Sequence, residues 1–238
     1  MSRQLSEEKR RALMEAAVEL FSTQGFQATP TQQISDRAGV SAGTLFRYFR
    51  TKEELIDSLY ASIHRALTDA VDEAIHPETP VEEQIQNVKR QVLHWMFENP
   101  KKTLFFEQFS SSPNITEKAK KEPGTRFAAL DELYQKAVSR GILKGINKEV
   151  FLANFWSPNF MLIHMHAFGR LQSDVEETIE QSVASMWCGM SPRQCATGKP
   201  DTETFHTMLP SGESLRKFTQ TNLISGNKQR ENHSNSRL

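Results

Sequence analysis

Arg47, Thr44 and the two small residues Ala42 and Gly43 fall within one short run, SAGTLFRYF at 41–49. Their chemistry suits a nucleic-acid surface. One arginine can donate two hydrogen bonds to a guanine, worth roughly 1–3 kcal/mol of discrimination against another base. Thr44 adds a hydroxyl. Ala42 and Gly43 carry too little side chain to hold a helix end away from a groove. On this reading Ala42, Gly43, Thr44 and Arg47 face base edges.

Such residues need a short helix to carry them and a second one to brace it. The stretch TPTQQISDRAGVSAGTLFRYFRTKEEL at 29–55 spells both. Thr29 reads as an N-cap, with Gln32 completing a capping box. Pro30 then takes the first helical position, where a missing N–H costs nothing. Ile34 and Ala38 lie one turn apart and face inward. Gly39 tolerates the left-handed conformation that ends a helix. Val40 plugs the turn. Ser41 is the next N-cap, and the dipole of the helix it opens favours a phosphate. Leu45 and Phe49, four apart, are the buried anchors of the second helix. This is helix-turn-helix geometry, in which the second helix enters the major groove. A small helical hairpin with no nucleic-acid role gives the same bare pattern.

Residue-level similarity separates the two. The run from Leu13 to Leu55 resembles the N-terminal domain of the TetR/AcrR family of transcriptional regulators. The matching elements are Ala16-Ala17-x-x-Leu20-Phe21, Gly25-Phe26-x-Ala28-Thr29, Ile34-Ser35-x-x-Ala38-Gly39-Val40-Ser41, Gly43-Thr44-Leu45-Phe46-x-Tyr48-Phe49 and Lys52-Glu53-Glu54-Leu55. Pro30, Thr31, Phe46 and Arg50 depart from the usual pattern, and Phe46 lacks the hydroxyl of a common tyrosine. The resemblance implies that Thr29, Tyr48 and Lys52 hold phosphates. It also implies a homodimer whose C-terminal helices pair in a four-helix interface. A two-fold protein would then meet two half-sites about 34–36 Å apart.

Composition agrees. The chain has 238 residues, 37% hydrophobic and 24% charged, enough for a small domain and a larger one with a sizeable core. Formal net charge is zero. Eight basic residues against five acidic ones through position 52 decide little, since a local patch suffices for DNA. The two cysteines, Cys188 and Cys195, build neither a disulfide framework nor a zinc site. The N-terminus lacks an apolar signal core, and no run approaches the roughly 20 residues of a membrane span. The expected setting is the cytoplasm, with no membrane partner.

The body reads as all-α. One helix spans about Ser6 to Gln24, with Leu13, Ala17, Leu20 and Phe21 inward and Gly25 at its end. Thr51 caps a longer helix bearing Leu55, Leu59, Ile63, Ala66 and Ala70. After Pro77 and Pro80, Val81, Ile85, Val88, Val92 and Trp95 repeat at helical spacing, and Asn99-Pro100 stops them. A Phe-rich segment follows, and SSSPN at 110–114 reads as a loop or cap. Phe127, Leu130, Tyr134, Ala137 and Val138 trace another helix, ended near Gly141. Glu149 to Phe168 is apolar almost all round, which predicts burial on several sides. Pro158 is expected to bend or split it, with Ser157 capping the second piece. Val175, Ile179, Val183, Met186 and Met190 mark the last helix. There Ser182, Ala184 and Ser185 allow close approach of a partner helix beside Met186 and Trp187. The division is 1–52 for the DNA-binding head, 53–190 for an effector-binding and dimerisation body, and 191–238 for a polar, disordered tail.

The expected function is a ligand-responsive transcriptional regulator, a repressor released from an operator in double-stranded DNA by a small hydrophobic or aromatic effector. Trp95, Phe105, Phe109, Trp156, Phe160 and His164 are the candidate effector pocket, with Phe106, Met161 and Met165 nearby. Filling of the core is the competing reading of each. The Met and His of MLIHMH at 161–166 could hold a soft metal. But His164 and His166 lie about 200° apart around a helix and cannot chelate together, so no metal is expected. His94 and Cys188 read as core or interface residues. No cofactor is called for. The rival classes are a helical enzyme and an interaction module whose helix-turn-helix has lost DNA affinity. Against an enzyme stand the missing glycine-rich phosphate loop, nucleophile elbow and spaced metal-ligand cluster.

Overall fold

The computed structural model describes residues 6–110, 112, 115, 116, 119, 127–143 and 145–191. Among these residues every regular element is a helix. The helices are α1 (Glu7–Gln24), α2 (Thr31–Arg37), α3 (Ala42–Tyr48), α4 (Lys52–Glu73), α5 (Val81–Glu98) and α6 (Pro100–Ser110). Then come α7 (Ala128–Ser139), α8 (Lys148–Ala167) and α9 (Val175–Met190). The all-α reading holds. The polar tail beyond 191, and most of the SSSPN loop, lie outside the described residues.

Apolar periodicity decides which faces pack. α1 buries Leu13, Ala17, Leu20 and Phe21 as expected, and Met14 and Val18 as well. It lies against α2 and α6. Phe21 stacks on Phe105 at 6.2 Å between centroids, and Phe105 on Phe109 at 4.5 Å, with Phe26 against Phe21 at 5.8 Å. Each such pair adds about 0.5–1.5 kcal/mol beyond its buried area. The cluster ties the first helices to the body.

α4 is held at its start by Thr51, whose hydroxyl accepts from the Glu54 N–H at 3.1 Å. It packs against both α5 and α6, so two of its faces are buried. Ile56, Tyr60, His64 and Leu67 join the expected stripe, and Ala66 is only half-buried. α5 is the central helix of the body, touching α4, α7, α8 and α9. Val81, Ile85, Val88 and Val92 are buried on it, as the spacing predicts, while Trp95 is half-buried. Asn99-Pro100 separates α5 from α6 as expected. On α7, Leu130, Tyr134 and Ala137 are buried, but Val138 is exposed.

α8 departs from expectation twice. It is one helix running through Pro158, not two pieces, and its N-cap is Asn147, which accepts from Val150 N–H at 2.9 Å; Ser157 does not cap. Its burial is also one-sided. Phe151, Phe155, Asn159 and Ile163, spaced four apart, form the only fully buried stripe. Met161 and Phe168 are 62% and 65% exposed. An apolar composition all round does not specify how many neighbours a helix has. Here α5 and α6 cover one side, α9 touches another, and the rest faces out. α9 turns Ile179, Val183, Met186 and Met190 inward as expected, leaving Ala184 and Ser185 exposed.

Candidate nucleic-acid interface

The turn between α2 and α3 is fixed by backbone chemistry. α2 ends at Arg37, and Gly39 takes φ +67°, the left-handed region that a side chain resists. Val40 N–H then reaches the Ser35 carbonyl at 3.0 Å, and Gly39 N–H the Asp36 carbonyl at 3.1 Å. That pair of bonds is a Schellman motif, and it satisfies carbonyls that the helix end leaves open. Val40 packs against the core as the expected plug. Ser41 caps α3 as expected. Its hydroxyl accepts from Thr44 N–H at 3.2 Å and pairs with the Thr44 hydroxyl at 2.9 Å.

Burial of Ile34, Leu45 and Phe49 sets the rotation of α3. The opposite face then presents Gly43, Phe46 and Arg47 to solvent, with Ala42 and Thr44 half-buried on its flanks. Arg47 has no ion-pair or hydrogen-bond partner among the described residues. Phe46 is 48% exposed, an unusual position for a ring that has nothing to cover it. Ala42, Gly43, Thr44 and Arg47 therefore sit together on one small convex surface.

Three residues expected to hold phosphates are engaged inside the fold. Thr29 is fully buried, and its hydroxyl donates to the Gly25 carbonyl at 2.8 Å. It closes the turn after α1, so a phosphate contact requires breaking that bond. Nor does it cap α2. Pro30 holds that position without a side-chain bond, and Gln32 bonds Asp36 at 2.7 Å instead of reaching back. Tyr48 clasps the chain's start. Its hydroxyl accepts from Ser6 N–H at 2.8 Å and donates to the Ser6 carbonyl at 2.9 Å. Lys52 Nζ donates to the Phe26 carbonyl and lies 4.2 Å from the centroid of the Phe26 ring. Burial lowers its pKa from the ordinary lysine value.

Beside this surface, Glu19 of α1 receives Lys101 of α6 at 3.0 Å and Arg37 of α2 at 2.5 Å. Lys101 and then Arg37 hold its carboxyl below the usual range. The three charges stitch the helix-turn-helix to the body. The link to Ser6, 42 positions from Tyr48, leaves no local pattern in the sequence.

The candidate effector residues have different neighbours. Phe105 and Phe109 are buried against Phe21, at the junction with the first helices. Trp156 lies tilted against Phe127 at 4.6 Å between centroids and edge-to-face with Phe155 at 5.0 Å. His164 bonds Glu107 at 2.8 Å and lies parallel to Phe168. Trp95 and Phe160 are half-buried against the core. Phe105 and Phe109 fill the core, whereas Trp95, Trp156, Phe160 and His164 are half-buried. Sequence reading missed Lys89 and Asn159, which are fully buried side by side. The signal was available for Lys89, which falls one turn after Ile85 and one before Leu93 on the inward stripe of α5.

Comparison with known proteins matches two stretches of the chain. Residues 13–59 match the model for bacterial regulatory proteins of the tetR family, and residues 80–191 that for a tetracyclin repressor-like C-terminal domain. The chain is 28% identical over 91 residues to the uncharacterized HTH-type transcriptional regulator YhgD of Bacillus subtilis, covering 38% of this chain and 48% of that protein. It therefore spans about half or less of the length of the first curated relatives it matches. The HTH-type transcriptional regulator LuxR of Vibrio harveyi is 24% identical over 177 residues, covering 71% of this chain and 83% of that one. In fold, a TetR family transcription regulator from Marinobacter aquaeolei superposes with a TM-score of 0.70 at 22% identity, over 78% of this chain and 96% of that one. No described helix is long and apolar enough to cross a membrane. With helix-turn-helix and helical body both matched, the chain belongs to the TetR family of transcriptional regulators.

Proposed function

We propose that this regulator is a homodimeric repressor that reads DNA with α3 and leaves its operator when a small molecule binds the body. The observation that carries the reading is the exposed face of α3. Arg47 has no partner there among the described residues, beside Gly43 and Thr44, on a helix whose rotation is locked by Leu45, Phe49 and the Ser41 cap. Arg47 supplies base readout through two hydrogen bonds, and Thr44 and the two small residues let the helix seat closely. Ser41 and the first N–H groups of α3 receive a phosphate. Tyr48 and Lys52 reach the DNA backbone only by releasing Ser6 and Phe26, so their main role is to hold the head in shape. Residues 1–52 act as the head, 53–190 as the effector and dimer body, and 191–238 as a passive extension.

Support for the dimer lies on α8 and α9. Met161 and Met165 are exposed on α8, with Phe168 just past its end, and Ala184 and Ser185 are exposed on α9. An apolar face next to a strip of small residues is suited to a second copy. An effector acts only if it binds the DNA-free state more tightly.

The test is binding-site selection from a randomised duplex pool, at low salt, with the native chain and Arg47→Ala. The native chain should return a two-fold motif. Arg47→Ala should lose preference at one base pair in each half-site, a cost of about 1–3 kcal/mol per base. Recovery of the same motif by both proteins removes Arg47 from readout. Absence of any preference defeats the function.

A further inference from the structure

We propose that Phe46 is a specificity residue of the head, reading the 5-methyl group of a thymine in the major groove. Among the described residues it is the one large apolar side chain of the head left exposed; the others, from Val138 onward, belong to the body. The ring does not pack against the core, and no other ring or cation pairs with it among the described residues. Burial of Leu45 and Phe49 and the Ser41 cap fix the rotation of α3. At about 100° per residue, Gly43 and Arg47 then point most directly outward, with Phe46 on one flank and Thr44 on the other. A helical side chain leans over the turn before it. For Phe46 that turn holds Ala42 and Gly43, and nothing stands within 4 Å of where a Cβ on Gly43 would be. The ring is therefore carried on the outward side of α3 with open space beside it.

The groove offers such a ring one partner. Base edges in the major groove present hydrogen-bond donors and acceptors, and the single apolar group among them is the C5-methyl of thymine. A phenylalanine side chain has no polar atom, so it can neither bond a base edge nor hold a phosphate. Seated over a guanine–cytosine pair, it would cover donors and acceptors without replacing their water, which is unfavourable. Seated on a thymine methyl, it displaces water from apolar surface alone, which is favourable. Arg47 next to it has the opposite preference, for guanine. The two side chains together would read a mixed step, with a thymine beside the base pair that Arg47 contacts.

Phe46 acts this way only if α3 reads DNA, as proposed above, and the experiment separates the two. Each thymine of the duplex selected by the full native chain is replaced in turn by deoxyuridine, which lacks only the methyl. Affinity is measured for the native chain and for Phe46→Ala. One replacement, beside the base pair at which Arg47→Ala loses its preference, should weaken the native chain about four-fold, the value of one buried methyl. Phe46→Ala should bind the thymine and deoxyuridine duplexes alike. Its melting temperature should not fall, since alanine is the better helix former and the ring packs on nothing. A native chain that selects a motif yet is indifferent to every methyl overturns the proposal and leaves α3 readout standing, with the ring left for a protein partner to cover. So does a Phe46→Ala chain that keeps the same loss on deoxyuridine. So does one that melts markedly lower, because the ring is then part of the head's own packing. A native chain that selects no motif overturns both.

Discussion

A lysine inside an apolar body must find acceptors, lose its proton, or cost stability. Lys89 does part of each. Its two acceptors are neutral, and burial pulls its pKa down to about 7. Unfolded, the same side chain titrates at the ordinary value of 10.5. Between those values the unfolded chain binds one proton more than the folded one, so stability rises with pH across that window. Below about 7 both states are protonated and the gain is absent. The slope reaches about 1.4 kcal/mol per pH unit inside the window. In urea unfolding the native chain should therefore gain stability relative to Lys89→Met as pH goes from 6 to 9. Parallel curves would mean that Lys89 stays charged in the fold. Whether Met leaves an offset is a separate matter, because it also strips the Phe155 carbonyl and Asn159 of a donor. The inward register of residue 89 was legible in the spacing of α5. Its acceptors were not, since they come from α8, some 66 and 70 positions away.

At the scale of elements, the sequence carried the helix ends well. Gly39, Ser41 and Thr51 fix turn and caps through bonds that span three to five residues, so local chemistry suffices. It failed where a distant partner decides: Thr29 turns inward to Gly25 instead of capping α2, and α8 continues through Pro158 against α5 and α6. The two glycines of the helix-turn-helix allow a sharp contrast. A methyl added at either meets nothing within 4 Å. At Gly39 the backbone is left-handed, and alanine there should cost about 1–2 kcal/mol from backbone strain alone. Gly43 lies inside α3 with an ordinary helical backbone, and alanine there should stabilise by about 0.5–1 kcal/mol. Yet its methyl would stand on the exposed face beside Arg47. Gly43→Ala should then raise the melting temperature while weakening operator binding, and Gly39→Ala should lower both. A Gly43→Ala protein that binds its operator as tightly as the native chain would place that face away from DNA.

For the whole molecule, the proposed homodimer raises the question of what sets the spacing of its two heads. α1 and α2 are fastened to α6 by Glu19, Arg37 and Lys101 and by the Phe21–Phe105 stack. The head therefore follows the body, and in the proposed dimer the spacing of two heads follows from how two bodies pair. Of the small residues that the sequence offered to a partner helix on α9, Ala184 and Ser185 are exposed and Ser182 is half-buried, while α8, read as buried all round, exposes Met161 and Met165. Its exposed methionines and Phe168 make sense of both observations once a second copy covers them. Ala184 is exposed and not part of the core cluster, so Ala184→Arg should leave the fold intact. Two arginines brought together across a two-fold axis would repel and would not pack. Light scattering should then show the native chain at twice the mass of the variant at micromolar concentration. Operator binding should fall steeply for a duplex with two half-sites and little for a duplex with one, because the variant keeps α3 and loses only its partner. An unchanged mass would move the interface off this strip of α9. A halved mass with full affinity for the two-site duplex would mean that the heads bind independently, and that pairing of the bodies does not set their spacing.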